Sequence, residues 1–283
     1  MFKVIDIHVH MQPLDMMKPE CRELIRQTQP NFDHIYELTQ SPEKFLAQMD
    51  KEGIEKVGVI NYVAPRIMGF TEEANDWAAN YARHHRDRLL PFGSVDPTTA
   101  KDPAGEMDRI INDLKLAALK LHPPHQLFYP NDYLDGLQAL EVIYRKAEEA
   151  RLPVMIHTGT SIFRGARSKF GNPFGIDDVA LDFPNLPILI AHGGRPLWMK
   201  ESVFLTRRFP NVYLEISSIP PQYLLEYFPA LGKIADKVIW GSDWPGPRVP
   251  GMKENVDQFV KLPLSDEVKQ KILYDNAARL FGL

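Results

Sequence analysis

The sequence predicts an α/β fold, a single (β/α)8 TIM barrel over residues 1–283, and three observations lead there. Short β-branched runs alternate with longer amphipathic stretches from end to end, the pattern of a parallel sheet. Eight such units fit into 283 residues, close to the roughly 250 that a closed eight-stranded barrel takes. The glycine fingerprint of a dinucleotide fold is missing after the first strand, where His8-Val9-His10-Met11-Gln12-Pro13 stands instead.

In chain order the expected strands are 4–10, 56–63, 89–95, 117–122, 153–158, 187–192, 212–217 and 238–241. Each is a short run of Val, Ile, Leu or Phe, as strands buried on both faces require. The expected helix 41–53 opens on Ser-Pro-Glu, a cap followed by proline at the first helical position, and closes on Gly53. Helices are also expected over 71–87, 103–114, 132–151, 196–209, 221–234 and 265–281, with 132–151 the most clearly periodic. A shorter helical segment, 176–183, lies between the fifth and sixth strands. Residues 11–40 form a long first connection expected to fold over the barrel mouth. No linker, composition shift or 20–50-residue repeat divides the chain.

Hydrophobic residues make up 44% and charged residues 25%, enough apolar material for a sizeable core. The formal net charge is −4 with no basic block, which argues against a nucleic-acid partner. Cys21 is the only cysteine, so an intramolecular disulfide is excluded and a reducing compartment is expected. The sequence has no signal-peptide apolar region and no apolar run near the roughly 20 residues that span a bilayer. A soluble cytoplasmic protein without a membrane partner is the expectation.

Barrel active sites lie at the C-terminal ends of the strands. His8 and His10 end the first expected strand, Lys120 and His122 the fourth, and His157 the fifth. His192-Gly193-Gly194-Arg195 follows the sixth and Ser242-Asp243-Trp244-Pro245 the eighth. Alternate strand residues share a face, so His8 and His10 can converge on one ion. A carboxylate completes a mixed nitrogen and oxygen site, and metal coordination lowers the pKa of water toward neutrality. Asp243 suits both ligation and proton acceptance; in isolation it would also suit a turn. His192 reads either as a ligand or as the group that orients water and polarises a carbonyl. Lys120 reads as a carboxylated bridge to a second metal, a substrate cation or a buried structural lysine. His125, in a Pro-Pro-His loop, is expected at the surface with His34, His84 and His85.

Arg66, Arg164, Arg167, Arg195 and Arg248 fall in loops at this rim. The guanidinium fork matches carboxylates, so a small carboxylated substrate is expected, with solvated or structural roles as the alternative for each arginine. Arg195 is the first candidate because it follows His192-Gly-Gly, and Arg66 and His122 are further substrate candidates. Trp244 and Phe163 are candidates to wall an apolar part of the substrate.

Asp6-x-His8-x-His10, Met155-Ile156-His157-Thr158-Gly159, Ile190-Ala191-His192-Gly193-Gly194 and Gly241-Ser242-Asp243-Trp244-Pro245 together resemble the amidohydrolase superfamily. More narrowly they resemble the branch typified by aminocarboxymuconate-semialdehyde decarboxylase, from residue 4 to about residue 281. The resemblance implies His8, His10, His157 and Asp243 as metal ligands and His192 as the catalytic histidine. It also implies zinc, one per chain, with manganese as the alternative ion, and homodimers as a common state. Hydrolysis of an amide, ester or lactone is the first reading of the reaction. Nonoxidative decarboxylation of a small aromatic or diene acid is the second. A noncatalytic binding barrel is the third, opposed by the presence of all five residues.

Overall fold

The computed structural model describes residues 2–247 and 249–283. Eight parallel strands form one sheet in chain order: β1 Ile5–Val9, β2 Lys56–Val59, β3 Leu89–Gly93, β4 Ala118–Leu121, β5 Val154–His157, β6 Ile188–Ala191, β7 Val212–Glu215 and β8 Val238–Ile239. Helices surround them, as in a TIM barrel. The two edges meet. Ile7 N–H donates to Trp240 O (3.3 Å), Asp243 N–H to His8 O (2.8 Å) and His10 N–H to Trp244 O (2.7 Å). The strands are almost wholly buried because helices cover the outside and packed side chains fill the inside. At Gly58 an added Cβ would lie 2.2 Å from Ile7 O, so only glycine lets β2 approach β1 this closely.

The helix Pro42–Glu52 forms as the sequence signals: Ser41 Oγ accepts from Lys44 N–H at 3.3 Å, and Gly53 ends it at φ 72°. Elsewhere local chemistry shortens the expected helices. The expected 71–87 helix is Glu73–Tyr81, after which the His84-His85-Arg86-Asp87 run offers no apolar face. The expected 132–151 helix breaks at Gly136 (φ 100°) into a 3-10 turn Asp132–Asp135 and a helix Gln138–Glu149. The expected 221–234 helix is three short pieces, Pro221–Tyr223, Leu224–Tyr227 and Leu231–Lys233. Phe228 leaves the helical region there because Pro229 follows it.

The first connection carries two helices, Pro19–Thr28 and Phe32–Gln40, and a further helix, Met252–Phe259, follows β8. Cys21 and Ile25 face inward from the first of these, and Phe32, Ile35 and Leu38 from the second. They join the core group that contains β1, β2 and β8. A second core group centres on β4, β5, β6 and the helix Gln138–Glu149. No helix among the described residues is long and apolar enough to cross a membrane.

Candidate active site

The site grows from the strand ends. The β1–β2 pairing is irregular between Asp6 and Val9, and both β1 imidazoles reach one carboxylate. His10 Nε2 lies 3.0 Å and His8 Nε2 3.3 Å from Asp243 Oδ1. Donor atoms of His8, His10 and Asp243 all lie within 4.8 Å of one another. Burial alone would raise the Asp243 carboxyl. The His10 hydrogen bond and the charges of His8, His10 and Arg195 instead hold it well below the usual carboxylate range.

His157, at the end of β5, stands beside this group. Its Nε2 is buried without a hydrogen-bond partner among the described residues. Its ring stacks 3.8 Å from His122 and lies 4.7 Å from His192, centroid to centroid. Three imidazoles and a carboxylate, with two nitrogens meeting one carboxylate oxygen and a third left unpaired, fit a divalent cation.

Behind the metal-type residues sits a network that sequence reading missed. Glu215 ends β7 with no solvent exposure. Its Oε2 lies 3.2 Å from His8 Nδ1 and accepts from His192 N–H (3.1 Å) and Ser217 Oγ–H (2.9 Å). Ser217 Oγ is in turn 2.8 Å from His192 Nδ1. The spacing Glu215-x-Ser217 repeats the alternation of His8-x-His10 and was its one sequence signal. Burial pushes the Glu215 carboxyl upward, opposed by the Lys120 charge and by these donors. Burial, reinforced by the Arg195, His157, His8 and Lys120 charges, keeps His192 well below the usual imidazole range, so its ring is neutral at pH 7.

His192 and Asp243 both adopt positive φ, 64° and 69°. Left-handed backbone is uncommon for residues with a Cβ, and strain of this kind gathers at functional sites.

Lys120 is fully buried, its Nζ 3.3 Å from His8 Nε2 and 3.5 Å from Met155 Sδ; burial lowers it to about 8. Arg195 Nη1 donates to Thr160 O (3.2 Å) and Nη2 to Ser218 Oγ (2.7 Å), while Nε is buried without a partner among the described residues.

A cavity of about 410 Å³ opens on this constellation, lined by His10, His122, His157, His192, Arg195 and Asp243 among others. Arg66 and Trp244 are not on its wall. The Arg66 guanidinium binds Thr98 Oγ1 and Gln126 O, while Trp244 is 2% exposed and stacks on Phe45. Phe163 does line the cavity, whereas Arg164 and Arg167 are exposed outside it. Arg248 lies outside the described residues. His125, expected at the surface, is buried on the cavity wall between Tyr62 Oη (3.2 Å from Nδ1) and Ser161 Oγ (2.7 Å from Nε2). The two prolines before it start a short helix, Pro123–Gln126, that turns His125 inward.

Fold and site together define a metal-dependent barrel enzyme, and the chain belongs to the amidohydrolase family, whose model matches residues 5–283. Among solved structures, an uncharacterized TIM-barrel protein from Bordetella bronchiseptica is 25% identical, with 99% of this chain and 98% of that chain covered and a TM-score of 0.78. The 5-carboxyvanillate decarboxylase of Sphingomonas paucimobilis is 18% identical over 100% of both chains, with a TM-score of 0.69. A probable 2-pyrone-4,6-dicarboxylic acid hydrolase from Acinetobacter baumannii is 16% identical over 99% of this chain and 100% of that one, with a TM-score of 0.71. A search of curated proteins finds no match to the chain.

Proposed function

We propose that this protein is a hydrolase of a small carboxylated amide, ester or lactone, with one divalent ion held by His8, His10, His157 and Asp243. The observation that carries this reading is a placement: His192 and Asp243 both stand on the cavity wall, His192 with its ring centroid 4.7 Å from that of His157 and Asp243 3.0 Å from His10. An imidazole lone pair and a carboxylate can both accept a proton. Hydrolysis begins by taking a proton from water, which suits two acceptors. Decarboxylation ends by giving a proton to carbon, which suits neither in its resting state.

When bound, the ion supplies Lewis acidity toward water and a carbonyl oxygen. The side chains do the rest. Glu215 accepts a hydrogen bond from His8 Nδ1–H, which turns the Nε2 lone pair toward the ion. Ser217 Oγ–H donates its hydrogen bond to Glu215 and therefore accepts from His192 Nδ1, so the His192 Nε2 lone pair is available to a proton. His192 then carries that proton to the leaving group. Arg195, whose Nε has no partner among the described residues, holds the substrate carboxylate.

The donor set of nitrogens and one oxygen supports zinc, with manganese second. Residues 1–283 are read as a single catalytic domain, and the lone Cys21 supports a cytoplasmic setting. Decarboxylation is the second reading, favoured by one observation. The Lys120 ammonium also lines the cavity and, at about 8, is a proton donor within it.

Turnover in ¹⁸O-labelled water tests the choice on a panel of carboxylated esters, lactones and aromatic acids. Label in the product supports hydrolysis. Carbon dioxide release without label overturns it.

A further inference from the structure

We infer that Tyr62, His125 and Ser161 form a second point of substrate recognition, at which the Tyr62 hydroxyl donates a hydrogen bond to a substrate oxygen away from the reacting carbonyl. The oxygen is an acceptor, such as a ketone, ring or ether oxygen. This deepens the reading of the same cavity; it rests on that cavity being the substrate site and not on the choice of reaction.

Three side chains from three segments meet on the cavity wall: Tyr62 after β2, His125 in the short helix Pro123–Gln126 and Ser161 after β5. His125 Nδ1 lies 3.2 Å from Tyr62 Oη, and its Nε2 2.7 Å from Ser161 Oγ. A phenol, a neutral imidazole and an alcohol carry one transferable proton each. Burial keeps the phenol protonated and the ring neutral. The two hydrogen bonds within the trio use two of the three protons. One hydroxyl proton is left over whichever tautomer the imidazole adopts, and a charged ring would leave both.

The two lengths place the spare proton on Tyr62. A separation of 2.7 Å suits an O–H donor, whereas 3.2 Å is the long end for N–H. Ser161 Oγ–H therefore donates to Nε2, and Nδ1–H donates to Tyr62 Oη. The phenolic O–H then has no acceptor within the trio. Tyr62 is 3% exposed, and a buried donor is costly until an acceptor reaches it. His122, stacked between His125 (3.6 Å) and His157 (3.8 Å), sets the distance from the ion site. The Tyr62 ring centroid is 6.3 Å from that of His10, and the His125 centroid 6.5 Å from that of His157. An oxygen held by Tyr62 is therefore a few bonds removed from a carbonyl held at the ion site.

The test is calorimetric titration of the zinc-loaded full chain, native and Tyr62→Phe, with 2-, 3- and 4-acetylbenzoate. The 2-, 3- and 4-isopropylbenzoates serve as partners of the same shape without the ketone oxygen. None of these acids contains an ester, amide or lactone bond, so their affinities decide the inference apart from the reaction. The labelled-water experiment, in turn, decides hydrolysis alone. At one ring position or more, Tyr62→Phe is expected to weaken the acetyl acid about three- to tenfold, the worth of one neutral hydrogen bond. The matching isopropyl acid should stay within about twofold, which also shows that the variant is folded. In the native protein the ketone stretch of that bound acetyl acid, read by isotope-edited infrared difference, should fall below its value in an aprotic solvent. Equal changes for both members of every pair overturn the inference. So does a native protein that binds no acetyl acid, or one in which the ketone stretch is unshifted at every ring position; these two results need no variant.

Discussion

Ser217 Oγ lies 2.8 Å from Nδ1 of His192 while donating its own hydrogen bond to Glu215, 2.9 Å away. A hydroxyl has one proton, so toward the imidazole it accepts. The ring therefore keeps its proton on Nδ1 and offers a lone pair at Nε2. Replacing Ser217 by Ala frees both the tautomer and the ring angle. Turnover is expected to fall about ten- to hundredfold, part of the 10²–10⁴ that a placed acid–base group supplies. Metal content should be unchanged, and steady-state kinetics with elemental analysis separates the two. Native turnover in this variant would remove the serine from the mechanism.

Metal retention distinguishes the histidines. His8→Ala and Asp243→Ala each break the group whose donor atoms lie within 4.8 Å of one another. Both should lose the ion on dialysis and lose activity with it. His192→Asn should keep about one ion per chain and lose at least a hundredfold in kcat. Loss of metal from the Asn variant would make His192 a ligand.

Gly159 ties β5 to the segment of Arg195, the proposed carboxylate anchor. Its φ is +91°, and an added Cβ would sit 2.1 Å from Arg195 O, a backbone atom that cannot step aside cheaply. Gly159→Ala should therefore displace the Arg195 segment and raise KM about tenfold, with a smaller effect on kcat, because anchoring is lost before chemistry. A native KM in a folded variant would show that the anchor tolerates the shift.

Asp6 sets a pH dependence in the metal-free protein. Its carboxyl is fully buried, and burial pushes it up to about 7 from an ordinary value of 3.8. Between those two values the folded chain keeps a proton that the unfolded chain has released. Stability on this account falls as pH rises from about 4 to about 7 and is level above that. Thermal unfolding between pH 4 and 8 should show this slope, and Asp6→Asn should reduce it, leaving the share that the raised Glu215 carboxyl adds over the same range. An equal slope in the variant would assign the dependence to another group.

Much of this was legible beforehand because barrel physics repeats itself. Eight apolar runs and the His8-x-His10, His157, His192 and Asp243 strand ends follow from periodicity and position alone. The misses have local causes. The helices Pro19–Thr28 and Phe32–Gln40 are only 10 and 9 residues long, too short for periodicity to stand out from a loop. Phe228 ended a helix because of the proline after it, which hydrophobic pattern does not register. Trp244 follows Asp243 in sequence yet is buried against Phe45 and not on the cavity wall, because the left-handed backbone at Asp243 (φ 69°) breaks the simple strand alternation that a linear reading assumes. Arg66 was placed at the rim by loop membership, but its partners Thr98 and Gln126 come from a later loop and a short helix and are invisible to a linear reading. Glu215 and Ser217 carried the right spacing, but without a partner in view two polar residues ending a strand look ordinary.

The seam between the two ends of the sheet has a consequence for how the protein is made. His10 and Asp243 stand 233 positions apart in the chain, and the hydrogen bond from Asp243 N–H to His8 O is part of the stitching that brings them together. During synthesis the early histidines emerge long before the late carboxylate. A nascent chain, or a fragment cut ahead of β8, offers two imidazoles but neither the counter-charge nor the backbone that aligns them. On the proposed ligand set, tight retention of the ion is expected only of molecules whose barrel has closed, since only these bring His8, His10 and Asp243 within 4.8 Å of one another.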